Sequence, residues 1–121
     1  MKYKIMFVDD DPLVLKMASI YLKHIADRIV FATSGEQCLE VLSEDHDFNL
    51  IILDIMMPGI DGIAALKAIR NTREISDIKI LMQTGMLNVD QDLITSLNAS
   101  IIFKPYSKKD LLETLEIMFQ A

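Results

Sequence analysis

One cysteine, Cys38, is all the chain has, so no disulfide can close within it and a reducing compartment is its natural setting. Basic residues are few and never cluster: 12 Lys and Arg against 18 Asp and Glu give a net charge of −6 and a pI of about 4.7. Such a chain presents no basic face, which excludes direct binding to a nucleic-acid backbone. Long hydrophobic runs are missing too. The opening apolar stretch, Ile5 to Val8, is too short for a signal-peptide core, and nothing approaches membrane-spanning length. Internal repeats, low-complexity tracts and linkers are also absent. What is present is one domain over residues 1–121, expected to be soluble and cytoplasmic, with 51% apolar residues to build a core.

Short apolar runs and helix-periodic segments alternate five times. Tyr3–Val8, Ile29–Ala32, Leu50–Leu53, Ile78–Met82 and Ser100–Phe103 are rich in β-branched residues and read as strands. Leu13, Val14, Met17, Tyr21 and Ile25 mark a first helix, with Asp11 as N-cap and Pro12 at its first position. Cys38, Val41 and Leu42 mark a second. Ile63, Leu66 and Ile69 mark a third, capped by Asp61, with Lys67, Arg70 and Arg73 on its wet side. Val89, Leu93 and Leu97 mark a weaker fourth. Ser107 to Asp110 is a capping box opening a fifth, whose stripe is Leu111, Leu115 and Met118. Leu112, Ile117 and Phe119 widen that stripe beyond what a core needs, and suit either burial or a partner face.

Nearly all-apolar strands separated by helices argue for a parallel sheet covered on both faces. Right-handed crossovers then give a three-layer α/β fold. In such sheets the ligand site lies at the carboxyl ends of the strands, where the winding reverses. If the first strand sits between the second and third, the reversal makes Asp9, Asp10 and Asp54 neighbours.

Asp9-Asp10-Asp11 ends the first apolar run and Asp54 the third, while the fourth and fifth run out into Thr84-Gly85 and Lys104-Pro105. Three carboxylates (Asp9, Asp10, Asp54) against one ammonium leave two negative charges, which one Mg²⁺ would cancel. Mg²⁺ takes oxygen ligands, keeps waters and favours phosphate oxygens. A hard dication, a free carboxylate, a hydroxyl and an ammonium together suit phosphoryl transfer to the carboxylate.

The segments Val8-Asp9-Asp10, Leu53-Asp54 through Asp61-Gly62, Gln83-Thr84-Gly85 and Phe103-Lys104-Pro105-Tyr106 span almost the whole chain. In their order and spacing the chain resembles a response-regulator receiver domain of two-component signalling, CheY-like. The resemblance implies a flavodoxin-like (βα)5 fold with strand order 2-1-3-4-5. It implies that Asp54 is the phosphoacceptor, that Asp9, Asp10, Asp54 and the backbone carbonyl of Met56 hold Mg²⁺, and that Thr84 and Lys104 bind the phosphoryl group. It further implies a sensor histidine kinase or phosphotransfer protein as donor, and a downstream protein or the chain's own output domain as target. A homodimer through the fourth helix, fifth strand and fifth helix is also implied, with no turnover of an external substrate.

Two positions depart from that pattern. Ile101 stands where the family carries a switch aromatic, and Asn98 where it has glycine, a mild change because Asn tolerates left-handed backbone. Met56 and Met86, two residues past Asp54 and Thr84, are apolar where polar side chains often modulate hydrolysis, so a long-lived phosphoryl group is expected. A rival reading is a haloacid-dehalogenase-type phosphatase built on Asp9, Asp11, Thr84 and Lys104, which leaves Asp54 without a role. A third is a receiver-like module that binds partners without phosphorylation. Cys38 reads as a core hydrophobe, His24 and His46 as solvated or capping residues. No output segment follows the fifth helix, so the expectation is a stand-alone receiver or one cut from a longer protein.

Overall fold

The computed structural model describes residues 2–120. Its elements follow in the order β1 (Tyr3–Val8), α1 (Pro12–Tyr21), β2 (Ala26–Ala32), α2 (Gly35–Glu44), β3 (Leu50–Asp54) and α3 (Gly62–Arg70). After a single 3₁₀ turn (Arg73–Ile75) come β4 (Lys79–Thr84), α4 (Gln91–Ser96), β5 (Ser100–Phe103) and α5 (Lys108–Met118). The strands form one parallel sheet in the order β2-β1-β3-β4-β5. This is the expected flavodoxin-like (βα)5 architecture.

Burial on both faces explains why the central strands read as unbroken apolar runs. On one face Met6, Val8, Ile51, Leu53, Ile80 and Met82 pack against Leu42 of α2, Leu66 and Ile69 of α3 and Ile94 of α4. On the other, Ile5, Phe7, Leu50, Ile52 and Leu81 meet Ala18 of α1, Leu22 at its C-cap, and Leu111 and Leu115 of α5. Fully burying one such aliphatic side chain stabilises by roughly 1.5–3 kcal/mol. Each helix is started by an acceptor side chain: Asp11 on the Leu13 amide, Ser34 on Gln37, Asp61 on Ala64, Asp90 on Leu93, and the Ser107–Asp110 box. Asn98 takes the left-handed conformation, at φ 56°. Among the described residues no helix is long and apolar enough to cross a membrane.

Strand ends and two cations depart from the sequence reading. β2 starts at Ala26, not Ile29, because Asp27 and Arg28 point to solvent and hide a strand that pairs with β1 through its backbone. β4 runs from Lys79 to Thr84, since Gln83 and Thr84 still pair with Asp54 and Phe103. Arg70 is not on a wet face. Its guanidinium donates to the backbone carbonyls of Ser76 and Ile78 before β4 and of Leu97 and Asn98 before β5, tying the end of α3 to both turns. Arg73 lies in the 3₁₀ turn outside α3. Phe119, the C-cap of α5, stacks on Tyr3 with ring centroids 4.2 Å apart, while on the helix Leu112 is half-buried and Ile117 stays 69% exposed.

Removing the Arg70 fork leaves several half-buried carbonyls without a charged donor. Arg70→Ala is therefore expected to lower unfolding stability by about 2 kcal/mol in urea titration. A change within the noise of such a measurement would show that water replaces the guanidinium without cost.

Candidate functional site

Parallel pairing carries four chain segments to one edge. Phe7, Ile52, Leu81 and Ile102 all belong to the core cluster against α1 and α5. Side chains alternate along a strand, so the residues two positions on, Asp9, Asp54, Gln83 and Lys104, project from that same face at the carboxyl ends. The ladder continues to that edge: the Asp9 amide donates to Ala32, that of Ile55 to Gln83, and that of Lys104 to Thr84. Thr84 has the parity of Met82 and lies with the opposite cluster, where Ile101 also packs.

Carboxylate oxygens of Asp9, Asp10 and Asp54 come within 4.8 Å of one another. Asp9 is wholly buried, Asp54 is 4% exposed, and Asp10 opens to solvent. The Lys104 ammonium bridges the two buried acids, 2.8 Å from Asp9 Oδ2 and 3.4 Å from Asp54 Oδ2. Asp9 Oδ1 accepts the Asp11 amide at 2.9 Å, and its Oδ2 also accepts the Gln83 side-chain amide at 3.0 Å. The Met56 amide reaches Asp54 Oδ1 at 3.4 Å, while the Met56 side chain is 60% exposed. Thr84 is buried, and its Oγ1 accepts the Met86 amide at 3.0 Å, which leaves the hydroxyl proton available to another acceptor.

One ammonium does not neutralise this cluster. Burial, reinforced by the Asp9 charge and only partly offset by Lys104, pushes the Asp54 carboxyl up to about 6. Burial works against the Lys104 charge, but hydrogen bonding to Asp9 and the Asp54 and Asp9 charges outweigh it and raise its pKa. Lys104 therefore stays cationic while Asp54 is poised to shed its charge unless another cation compensates. The donors are all oxygen, which suits a hard dication and not a soft one.

Gly62, first residue of α3, is needed for close approach. A Cβ there would meet the Asp54 carbonyl oxygen at 2.2 Å and the Ile55 Cα at 2.8 Å. Asp11 takes no part in the cluster, because its side chain caps α1 at 2.9 Å from the Leu13 amide. That removes the second acid which the phosphatase reading required. Cys38 is fully buried, its thiol pushed up to about 12 by desolvation, as a core residue's would be. His24 and His46 are exposed, and neither belongs to the cluster. The motif segments include Gln83 and Tyr106 without a role for either; both extend the hydrogen-bonded chain inward from Asp9. The available signal was a glutamine directly after the apolar run Ile80–Met82.

The family model described as the response regulator receiver domain matches residues 5–116. The probable transcriptional regulator ycf27 of Cyanophora paradoxa is 35% identical over 113 residues, covering 91% of this chain and 45% of that protein. The chain thus spans about half the length of the curated relatives it matches first. The chemotaxis response regulator CheY4 of Vibrio cholerae superposes with a TM-score of 0.88 at 26% identity, over 98% of this chain and all of that one. At 21% identity and a TM-score of 0.83, the receiver domain of sensor histidine kinase PA1611 from Pseudomonas aeruginosa shares the fold over 97% of each chain. Its structure holds a magnesium ion coordinated in the active-site cleft.

A raised carboxyl pKa has a fixed consequence for stability. Between about pH 4 and 6 the folded, cation-free chain keeps a proton on Asp54 that the unfolded chain has released. Stability therefore falls as pH rises through that window and stays lower above it. Asp54→Asn removes the penalty. It is expected to stabilise the cation-free chain at neutral pH by on the order of 2 kcal/mol and to flatten that segment of the pH profile. Parallel profiles for the two proteins in a chelator would contradict this.

Proposed function

The chain belongs to the response regulator receiver family of two-component signalling, and on that premise we propose that it is a phosphorylation-controlled switch. Asp54 is the phosphoacceptor. Its carboxylate oxygen attacks the phosphorus of a phosphohistidine on a sensor histidine kinase or phosphotransfer protein. The new O–P bond forms as the P–N bond breaks, and the imidazole nitrogen keeps the electron pair and takes up a proton from water. The observation that carries this reading is the convergence of Asp9, Asp10 and Asp54 within 4.8 Å around an ammonium that cannot neutralise them.

Asp9, Asp10, Asp54 and the Met56 backbone carbonyl would hold Mg²⁺, for which the all-oxygen donor set is suited. The bound ion supplies charge neutralisation between an anionic donor and an anionic nucleophile. Lys104 already reaches Asp54 Oδ2, so it needs little movement to pair with a phosphoryl oxygen. Thr84 contributes its uncommitted hydroxyl proton from the β4 end. Phosphate on Asp54 adds negative charge and acceptor oxygens, and drawing Thr84 and Lys104 toward it displaces the loops that lead into α4 and α5.

The altered α4–β5–α5 face acts on a protein partner, on the chain's own output domain or on a second copy, in the cytoplasm. Its match to transcriptional regulators supports gene control as the output, exerted through an attached or bound partner. The acidic domain of residues 1–121 does not itself bind DNA. Its own chemistry is confined to gaining and losing one phosphoryl group. Met56, largely exposed beside Asp54, and Met86 present no polar group to activate water there. The phosphoryl group is therefore long-lived.

Labelling with acetyl phosphate and Mg²⁺ tests the assignment. Label is expected to vanish in Asp54→Asn and persist in Asp11→Asn; the reverse pattern would overturn it. Purified phosphoprotein in Mg²⁺ should lose label slowly, and faster as Met56→Asn, whereas rapid loss from the unaltered chain contradicts the long lifetime.

A further inference from the structure

Gln83 is a fully buried glutamine on a sheet face where Leu81, Phe7, Ile52 and Ile102 lie below it and Asp9, Asp54 and Lys104 beside it. Burying an amide costs stability unless both its ends are satisfied. Here both are. Its Nε2 donates to Asp9 Oδ2 at 3.0 Å, and its Oε1 accepts the Tyr106 hydroxyl at 2.6 Å. Tyr106 is itself buried, in the segment that leads into α5. Among the described residues no buried side-chain nitrogen or oxygen lacks a partner. An aliphatic residue at position 83 would fill the same space without needing two partners, so the amide calls for a reason beyond packing.

The chain of bonds gives one. Tyr106, Gln83, Asp9, Lys104 and Asp54 form a continuous polar line from the foot of α5 to the proposed phosphoacceptor. The Asp9 carboxylate, which can only accept, fixes which way the amide points: the NH₂ faces it, and Oε1 is left to accept the Tyr106 hydroxyl. That orientation holds Asp9 Oδ2 in place, and it competes with Lys104 for the same oxygen. Any change at Asp9 (a cation arriving, or Lys104 departing toward a phosphoryl oxygen) alters the acceptor strength seen by Gln83 and so the bond to Tyr106.

This line is separate from the Thr84–Ile101 side of the sheet. Thr84 and Ile101 lie with the cluster against α2, α3 and α4, whereas Gln83 lies on the α1 and α5 face. We propose that Gln83 is a positioning residue for Asp9 and that, with Tyr106, it links the acidic site to the foot of α5 through the opposite face of the sheet. The link serves where position 101 offers no ring. It rests on the reading of Asp9 as part of the cation site, and its test separates the two.

The measurement is a Mg²⁺ titration of the whole chain followed by NMR, reading backbone amides of residues 9–11 and 54–56, the Gln83 side-chain amide and the Tyr106 ring carbon bearing the hydroxyl. The expected result is that the Gln83 and Tyr106 signals move with the same midpoint as the backbone amides. Gln83→Leu is expected to weaken Mg²⁺ binding by about tenfold, and Tyr106→Phe by less, as is usual when a partner behind a metal ligand is removed. If the backbone amides respond while the Gln83 and Tyr106 signals stay fixed, the link is overturned and the cation site stands. Unchanged affinity in a folded Gln83→Leu protein likewise overturns the positioning role. If the backbone amides of the unaltered chain do not respond at all, the cation site fails and the link with it.

Discussion

Repulsion between two buried carboxylates is the constraint on which the rest of this molecule depends. β1 sits between β2 and β3, so Asp9 and Asp54 leave neighbouring strands on the same face and the same edge. Neither can turn away: Asp9 is wholly enclosed and Asp54 nearly so. Around this pair the protein spends its few well-placed polar groups, with Lys104 between the acids, the Gln83 amide on Asp9, and backbone amides on both. Burial first, and the Asp9 charge after it, still raise the Asp54 pKa, so that compensation is incomplete.

Incomplete compensation is useful. A site that neutralised itself would have no affinity for a dication, and one left wholly unpaired would destabilise the fold by several kcal/mol. Lys104 strikes the middle course. It holds the acids together, and it lies close enough to Asp54 to follow the phosphoryl group proposed there. The apolar core makes such tension tolerable, because both sheet faces are covered and β3 is buried along its whole length.

Much of this was legible in the sequence because it is carried by period and punctuation. Acids, a hydroxyl and a lysine that end apolar runs announce a strand edge, and caps such as Asp11, Asp61 and Ser107 mark helix starts by residue type. The parts that were not legible depend on side-chain reach across the fold. Arg70 reads as a solvated cation on a helix until α3 is set beside the turns before β4 and β5, where two carbonyls of each await it. Gln83 looks like an interruption near a strand end until Tyr106 is brought beneath it from 23 residues further on. The start of β2 was hidden because an edge strand can keep polar residues such as Asp27 and Arg28 while its backbone pairs. Position 101 was legible as an absence, and the structure adds that Ile101 merely fills core on the α4 side.

The acidic edge is held under burial and charge repulsion that a dication would relieve. The most direct measurement is the thermal midpoint of the unaltered chain in chelator and in increasing Mg²⁺ at matched ionic strength. The account predicts a midpoint that climbs with the logarithm of Mg²⁺ once binding begins. It predicts a higher starting midpoint and a smaller climb in Asp54→Asn. Superimposable melts with and without Mg²⁺ would contradict it.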